Sequence, residues 1–256
     1  MKPTRRIQSI FASLAGMALV VSTAGAAHAT PGTTESPEQS MAQASAQSSL
    51  TTVAVGAEEA AEITSEVLSS LSSGEVTIEA PLSAVKASES KVSTASTDDG
   101  VFTTVTLPVG GPYSLTSNVS MILDSSGERL QYTETLVSEN AVGNFKVTSY
   151  VDGVLTSDQD TDLTFMSDDE LKADMANAKS QAPGAGGGMQ LAEKNTGACI
   201  ATVLGVGGVV GGIIAYACAG ACAAAAIGVG VPFCVACIAG FATVGGASVT
   251  AVASCF

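Results

Sequence analysis

Residues 199–256 read CIATVLGVGGVVGGIIAYACAGACAAAAIGVGVPFCVACIAGFATVGGASVTAVASCF. This stretch decides the fold. It contains no Lys, Arg, Asp, Glu or His, yet it holds all six cysteines of the 256-residue chain. What precedes it is polar, acidic and free of cysteine. A run of 58 apolar and small residues must leave water, and it has no charged face with which to stay in it.

The run divides once, at Gly228-Val229-Gly230-Val231-Pro232. Gly costs a helix interior about 1 kcal/mol relative to Ala, and Pro about 3. Pro is welcome, however, at the start of a new helix. The pattern predicts a helical hairpin, with one helix over 199–226 and a second over 232–254, turning at Gly228, Gly230 and Pro232. At 1.5 Å per residue these helices are about 42 and 34 Å long, enough for a bilayer core of about 30 Å. Neither carries the polar stripe of a surface helix.

The cysteines sit symmetrically about that turn. Cys222 and Cys234 have their midpoint at 228, Cys218 and Cys237 at 227.5, and Cys199 and Cys255 at 227. Cys218 and Cys222 share a helix face, as do Cys234 and Cys237. Three nested disulfides follow as a hypothesis from spacing, one of the 15 pairings that six cysteines allow. The spacings Cys218-x3-Cys222 and Cys234-x2-Cys237 also resemble zinc ligation. An exported, charge-free apolar segment favours disulfides. Gly207 with Gly211, Gly208 with Gly212, and Ala236 with Gly240 lie four apart, the spacing of small residues that lets helices approach closely in membranes. A Gly/Ala-rich run also yields such spacings by chance.

The chain opens as a targeting segment. Lys2, Arg5 and Arg6 precede an apolar run over Ile10–Val21, and Ala27-His28-Ala29 is a cleavage signal, placing the cut between Ala29 and Thr30. Thr4-Arg5-Arg6 is a loose twin-arginine pattern. Residues 1–29 are therefore expected to be a signal peptide and the mature chain to be secreted. Residues 30–55 read as a polar spacer. Domain 56–180 begins with GAEEAAEITSEVLSSLSSG, whose Ile63, Val67 and Leu71 recur every four residues and predict an amphipathic helix ended by Gly74.

Six segments then predict an antiparallel β-meander: EVTIEA, GVFTTVTLPV, SLTSNVSMIL, RLQYTETLV, NFKVTSYV and TDLTFM. Asp152-Gly153 suits a two-residue hairpin. Ser167 and Glu170 form a capping box at the start of a helix running to about Ser180. QAPGAGGG opens a flexible linker over 181–194. The predicted class is α+β: an N-terminal meander domain flanked by short helices, and a C-terminal apolar, disulfide-linked helical hairpin over 195–256.

Charge and missing side chains exclude several functions. From Glu35 to Lys194 there are 24 acidic and seven basic residues, a net charge near −17 that repels nucleic acid and anionic lipid. The only His is His28, inside the targeting segment, so the mature chain has neither a Ser–His nor a Cys–His pair. The glycines at 205–212 are followed by no Lys, so they do not make a phosphate-binding loop. Asp158, Asp160 and Asp162 repeat as in a calcium loop, but Leu163 stands where such a loop needs Gly. The reading is of a non-enzyme with no cofactor and no metal.

Through CAGACAAAAIGVGVPFCVACIAGFATVGG (Cys218–Gly246), residues 195–256 resemble the cysteine-rich halocin-like bacteriocins, or microhalocins. The resemblance implies a disulfide-stabilised antimicrobial peptide, released by a processing protease from an exported precursor whose N-terminal part confers immunity. The residues themselves point to a segment that enters a target bilayer without dragging a charge across it. There it self-associates through its glycines and leaks ions, having first been covered by its own acidic N-terminal domain. Two other readings stand beside this one. One is a cell-surface protein whose β domain is held by a C-terminal membrane hairpin. The other is a water-soluble, disulfide-locked globule that binds a partner.

Overall fold

A computed structural model describes residues 51–97, 100–181, 196–225, 231–241 and 255–256. The expected cleavage site at Ala29 and Thr30, the glycine-rich linker, and Gly228 and Gly230 of the expected turn lie outside these residues.

The centre is a seven-stranded antiparallel sheet whose spatial order is its sequence order. Its strands are β1 (Thr51–Ala54), β2 (Lys91–Thr97), β3 (Gly100–Pro108), β4 (Asn118–Leu123), β5 (Arg129–Glu139), β6 (Asn144–Val151) and β7 (Val154–Thr164). Two corrections concern its first part. Thr51–Ala54, placed at the end of the spacer, pair with β2. EVTIEA (75–80) is not a strand. It is a loop tied down by the Glu134 carboxylate, which accepts the N–H groups of Glu79 and Ala80 at 2.8 Å each.

The Asp152-Gly153 hairpin forms as expected. Both residues are left-handed, at φ 49° and 77°, and Val151 pairs with Val154. Two positive φ values match the right-handed twist of the flanking strands.

Helix α1 (Ala57–Ser72) lies on one face of the sheet. It buries Val67 and Leu71 and ends before Gly74, at φ 78°. Helix α2 (Asp168–Gln181) starts at the capping box. The Ser167 N–H donates to Glu170 Oε2 at 2.8 Å, and the Glu170 N–H donates to Ser167 Oγ at 3.4 Å.

The cysteine-rich segment departs from two straight rods. It forms α3 (Thr196–Leu204), α4 (Gly208–Ala225) and α5 (Val231–Phe241), with Pro232 in the first turn of α5. The helix expected over 199–226 is broken at Gly205. That residue is left-handed at φ 64°, and the Val206 N–H bonds back to the Ala201 carbonyl at 3.0 Å. A left-handed Gly followed by this 6→1 bond is a Schellman stop. Among the described residues no single helix is long and apolar enough to cross a membrane. Thr196–Leu204 with Gly208–Cys222 passes only as a pair bent by 118°. The sheet and these helices, assigned above to separate domains, lie in one compact unit, Ala44–Phe256.

Candidate functional site

The site is the face of the sheet opposite α1, together with what lies on it. Successive residues of a strand point to opposite faces. Val105, Leu107, Val119, Met121 and Leu136 face α1 and belong to its core cluster. Thr104, Thr106, Asn118, Ser120, Thr135 and Val137 therefore face the other way, and all are buried. Further along this second face, Val137, Phe145 and Val147 form one core cluster with Leu171 of α2, and with Ile200, Ile213, Ile214, Ile238 and Phe241 of the cysteine-rich helices. Each such side chain contributes about 1.5–3 kcal/mol relative to exposure.

Helix α4 lies on β6 and β7, and α5 on β3 and β4. Glycine sets the closeness. A Cβ at Gly240 of α5 would press on Ser120 Oγ and Asn118 Oδ1, at 2.6 and 3.0 Å. One at Gly212 of α4 would press on Leu163 of β7, and one at Gly207 would fall on the Asp174 carboxylate of α2. Gly211 serves the segment itself, where a Cβ would strike the Gly197 carbonyl and Ala201 of α3. Gly208 faces open space, and Ala236 is buried. Of the small residues singled out by spacing, three thus fit the segment to its own N-terminal part.

The structure joins Cys199 to Cys255, Cys218 to Cys237 and Cys222 to Cys234, with Cα separations of 5.6, 5.8 and 4.4 Å. These are the nested pairs. All three close within the segment, and none reaches the sheet. A polar contact between the two parts is made by the Tyr216 hydroxyl, which donates to Asp162 Oδ1 at 2.9 Å. It borders an open cleft of about 610 Å³ between β7 and α4, where Phe256 also lies.

The acidic repeat on β7 is engaged locally. Asp158 accepts from Lys146 Nζ at 2.9 Å, which holds its carboxyl below the usual range, and Asp160 accepts from Asn140. Among the described residues no group of three or more His, Cys, Asp or Glu side chains is arranged to hold a metal ion.

Comparison of the chain with protein-family models, with curated proteins and with solved structures gave no match.

The cysteine pairs match the spacing, whereas Gly207, Gly212 and Gly240, singled out for helix packing in a membrane, lie against the chain's own α2 and sheet, and Gly208 faces open space. Sequence reasoning missed what the glycines touch, and it missed the hydroxyl-lined seat. A signal for the seat was present. Thr104, Thr106, Asn118 and Ser120 alternate with Val105, Leu107, Val119 and Met121 over two neighbouring strands, a polar face long enough to need a partner or water.

Proposed function

We propose that the chain is the exported precursor of a disulfide-braced, membrane-permeabilising antimicrobial peptide. The peptide is the segment around 196–256, and the acidic sheet domain keeps it dispersed until a protease releases it. One observation carries this reading: the segment is cross-linked three times to itself and not at all to the sheet on which it sits. A single cut in the connecting chain therefore leaves the peptide's brace intact and its seat non-covalent.

The reading assigns no catalysis to the chain.

Intact mass spectrometry of the culture medium, reduced and unreduced, tests the proposal alongside growth inhibition of sensitive cells. The expected product is a C-terminal peptide six mass units lighter before reduction, active in the same fraction. A full-length, inactive chain as the only secreted species would overturn it.

A further inference from the structure

We propose that the sheet is a folding template that selects the cysteine pairing of the segment. This role is independent of what the segment does once released.

Cys218 and Cys222 are four apart and Cys234 and Cys237 three apart, whereas the observed pairs are separated by 19 and 12 residues. Loop-closure entropy costs more for longer loops, so chain statistics do not by themselves select the observed pairs over the local ones. Random oxidation of six cysteines would give any one complete set about 7% of the time. The segment itself offers no charge, and little hydrogen bonding beyond its helices, to choose between registers.

The sheet supplies the choice by seating each helix separately. α5 is placed by Gly240 against β4, where Asn118 and Ser120 lie. Those groups are already satisfied among themselves. Ser120 Oγ lies 3.1 Å from Asn118 Oδ1, to which it donates, and 3.2 Å from Thr106 Oγ1. These hydrogen bonds therefore do not use the helix as a partner. α4 is placed by Gly212 against Leu163 and by the hydrogen bond from Tyr216 to Asp162. With both helices seated, the cysteine face of α4 meets that of α5, and Cys218, Cys222 and Cys234 are buried in the cluster that contains Val137, Phe145 and Val147.

Each bond forms by thiol–disulfide exchange with a small-molecule disulfide such as oxidised glutathione. One cysteine thiolate attacks the oxidant, giving a mixed disulfide and releasing one thiol. The partner cysteine then displaces the second thiol. Each pair loses two electrons and two protons, and one oxidant disulfide becomes two thiols.

The test refolds the full, reduced chain in a glutathione buffer. Pairing is mapped by peptide mass, and hydrogen exchange is followed in parallel over β3–β6. In the wild type, sheet protection should precede the disulfides, and the nested set should dominate. In the double variant Gly212→Leu/Gly240→Leu, sheet protection should remain while the nested set falls about fivefold or more, toward the roughly 7% random level. Gly208→Ala should change nothing. Full wild-type pairing in a double variant with an intact sheet would overturn the proposal. If the double variant loses its sheet, the wild-type order of events decides alone: nested disulfides complete before the sheet is protected would also overturn it.

Discussion

The two faces of the sheet are built differently. The face under α1 is filled by Val105, Leu107, Val119, Met121, Tyr132 and Leu136, an apolar layer of the kind that forms once and stays. The face under α4 and α5 alternates between Val137, Phe145 and Val147 at one end and Thr104, Thr106, Asn118 and Ser120 at the other. Hydroxyls and amides at that end could be satisfied by water in place of the helices, whereas Val137, Phe145 and Val147 depend on the helices for their burial. The covering helices are cross-linked to one another and held on the sheet by packing and a hydrogen bond, without a covalent link to it. Both faces carry a buried core cluster, and the second adds a patch of hydroxyls and an amide under α5.

The largest expected effect separates the insert from the sheet. Replacing Cys199 and Cys255 together by Ser opens a loop with a sequence separation of 56, and chain entropy puts the loss at about 4 kcal/mol. Hydrogen exchange should show that loss in α3 and α4, with β3–β6 unmoved. Equal loss in both would mean that the two faces form one cooperative core.

Next, Leu107→Ala should destabilise the sheet by about 2–5 kcal/mol in urea unfolding. Thr106→Ala, one residue along on the seat side, should cost about 1 kcal/mol or less. Similar losses at the two positions would erase the contrast between the faces.

Glu134 is the charged group inside the α1 side. Burial pushes its carboxyl up from the usual range, against the two backbone N–H bonds that pull it down. Glu134→Gln orphans one of those N–H groups, at about 1–3 kcal/mol. An acid raised by folding contributes its full stability below its unfolded value and loses it as pH rises through the folded value. The wild type's advantage over the Gln variant should therefore grow as pH falls from neutrality through the carboxylate range. An advantage that shrinks on acidification would contradict the burial. The smallest effect is at α2, where Ser167→Ala removes the cap and should cost about 1 kcal/mol, read as fraying of the first turn of α2 by hydrogen exchange.

Legibility followed the same division. Local chemistry was readable wherever a residue's own backbone decided the outcome. Asp152-Gly153 made the hairpin, Ser167 and Glu170 made the capping box, and the mirror spacing of the cysteines matched the pairs that form. The α1 side was readable because its strands present Val and Leu at every second position. What sequence could not reveal was on the seat side. β2, KVSTAST, was not among the expected strands because its two buried residues, Val92 and Ala95, lie three apart on opposite faces and leave no apolar alternation. EVTIEA looked like a strand because its Val and Ile alternate, and a distant carboxylate, Glu134, held it as a loop instead. The stop at Gly205 was one glycine among many, distinguishable only once its φ was positive.

The account rests on the insert leaving its seat intact. The direct measurement places a specific protease site between Gly184 and Gly188 of the oxidised chain, cuts it in the presence of liposomes loaded with a fluorescent dye, and floats the vesicles. The account predicts dye leakage on cutting, with the C-terminal peptide floating at its unreduced mass and the acidic domain left in the aqueous layer. A cut peptide that stays with the acidic domain in the aqueous layer, leaving the vesicles sealed, would contradict it.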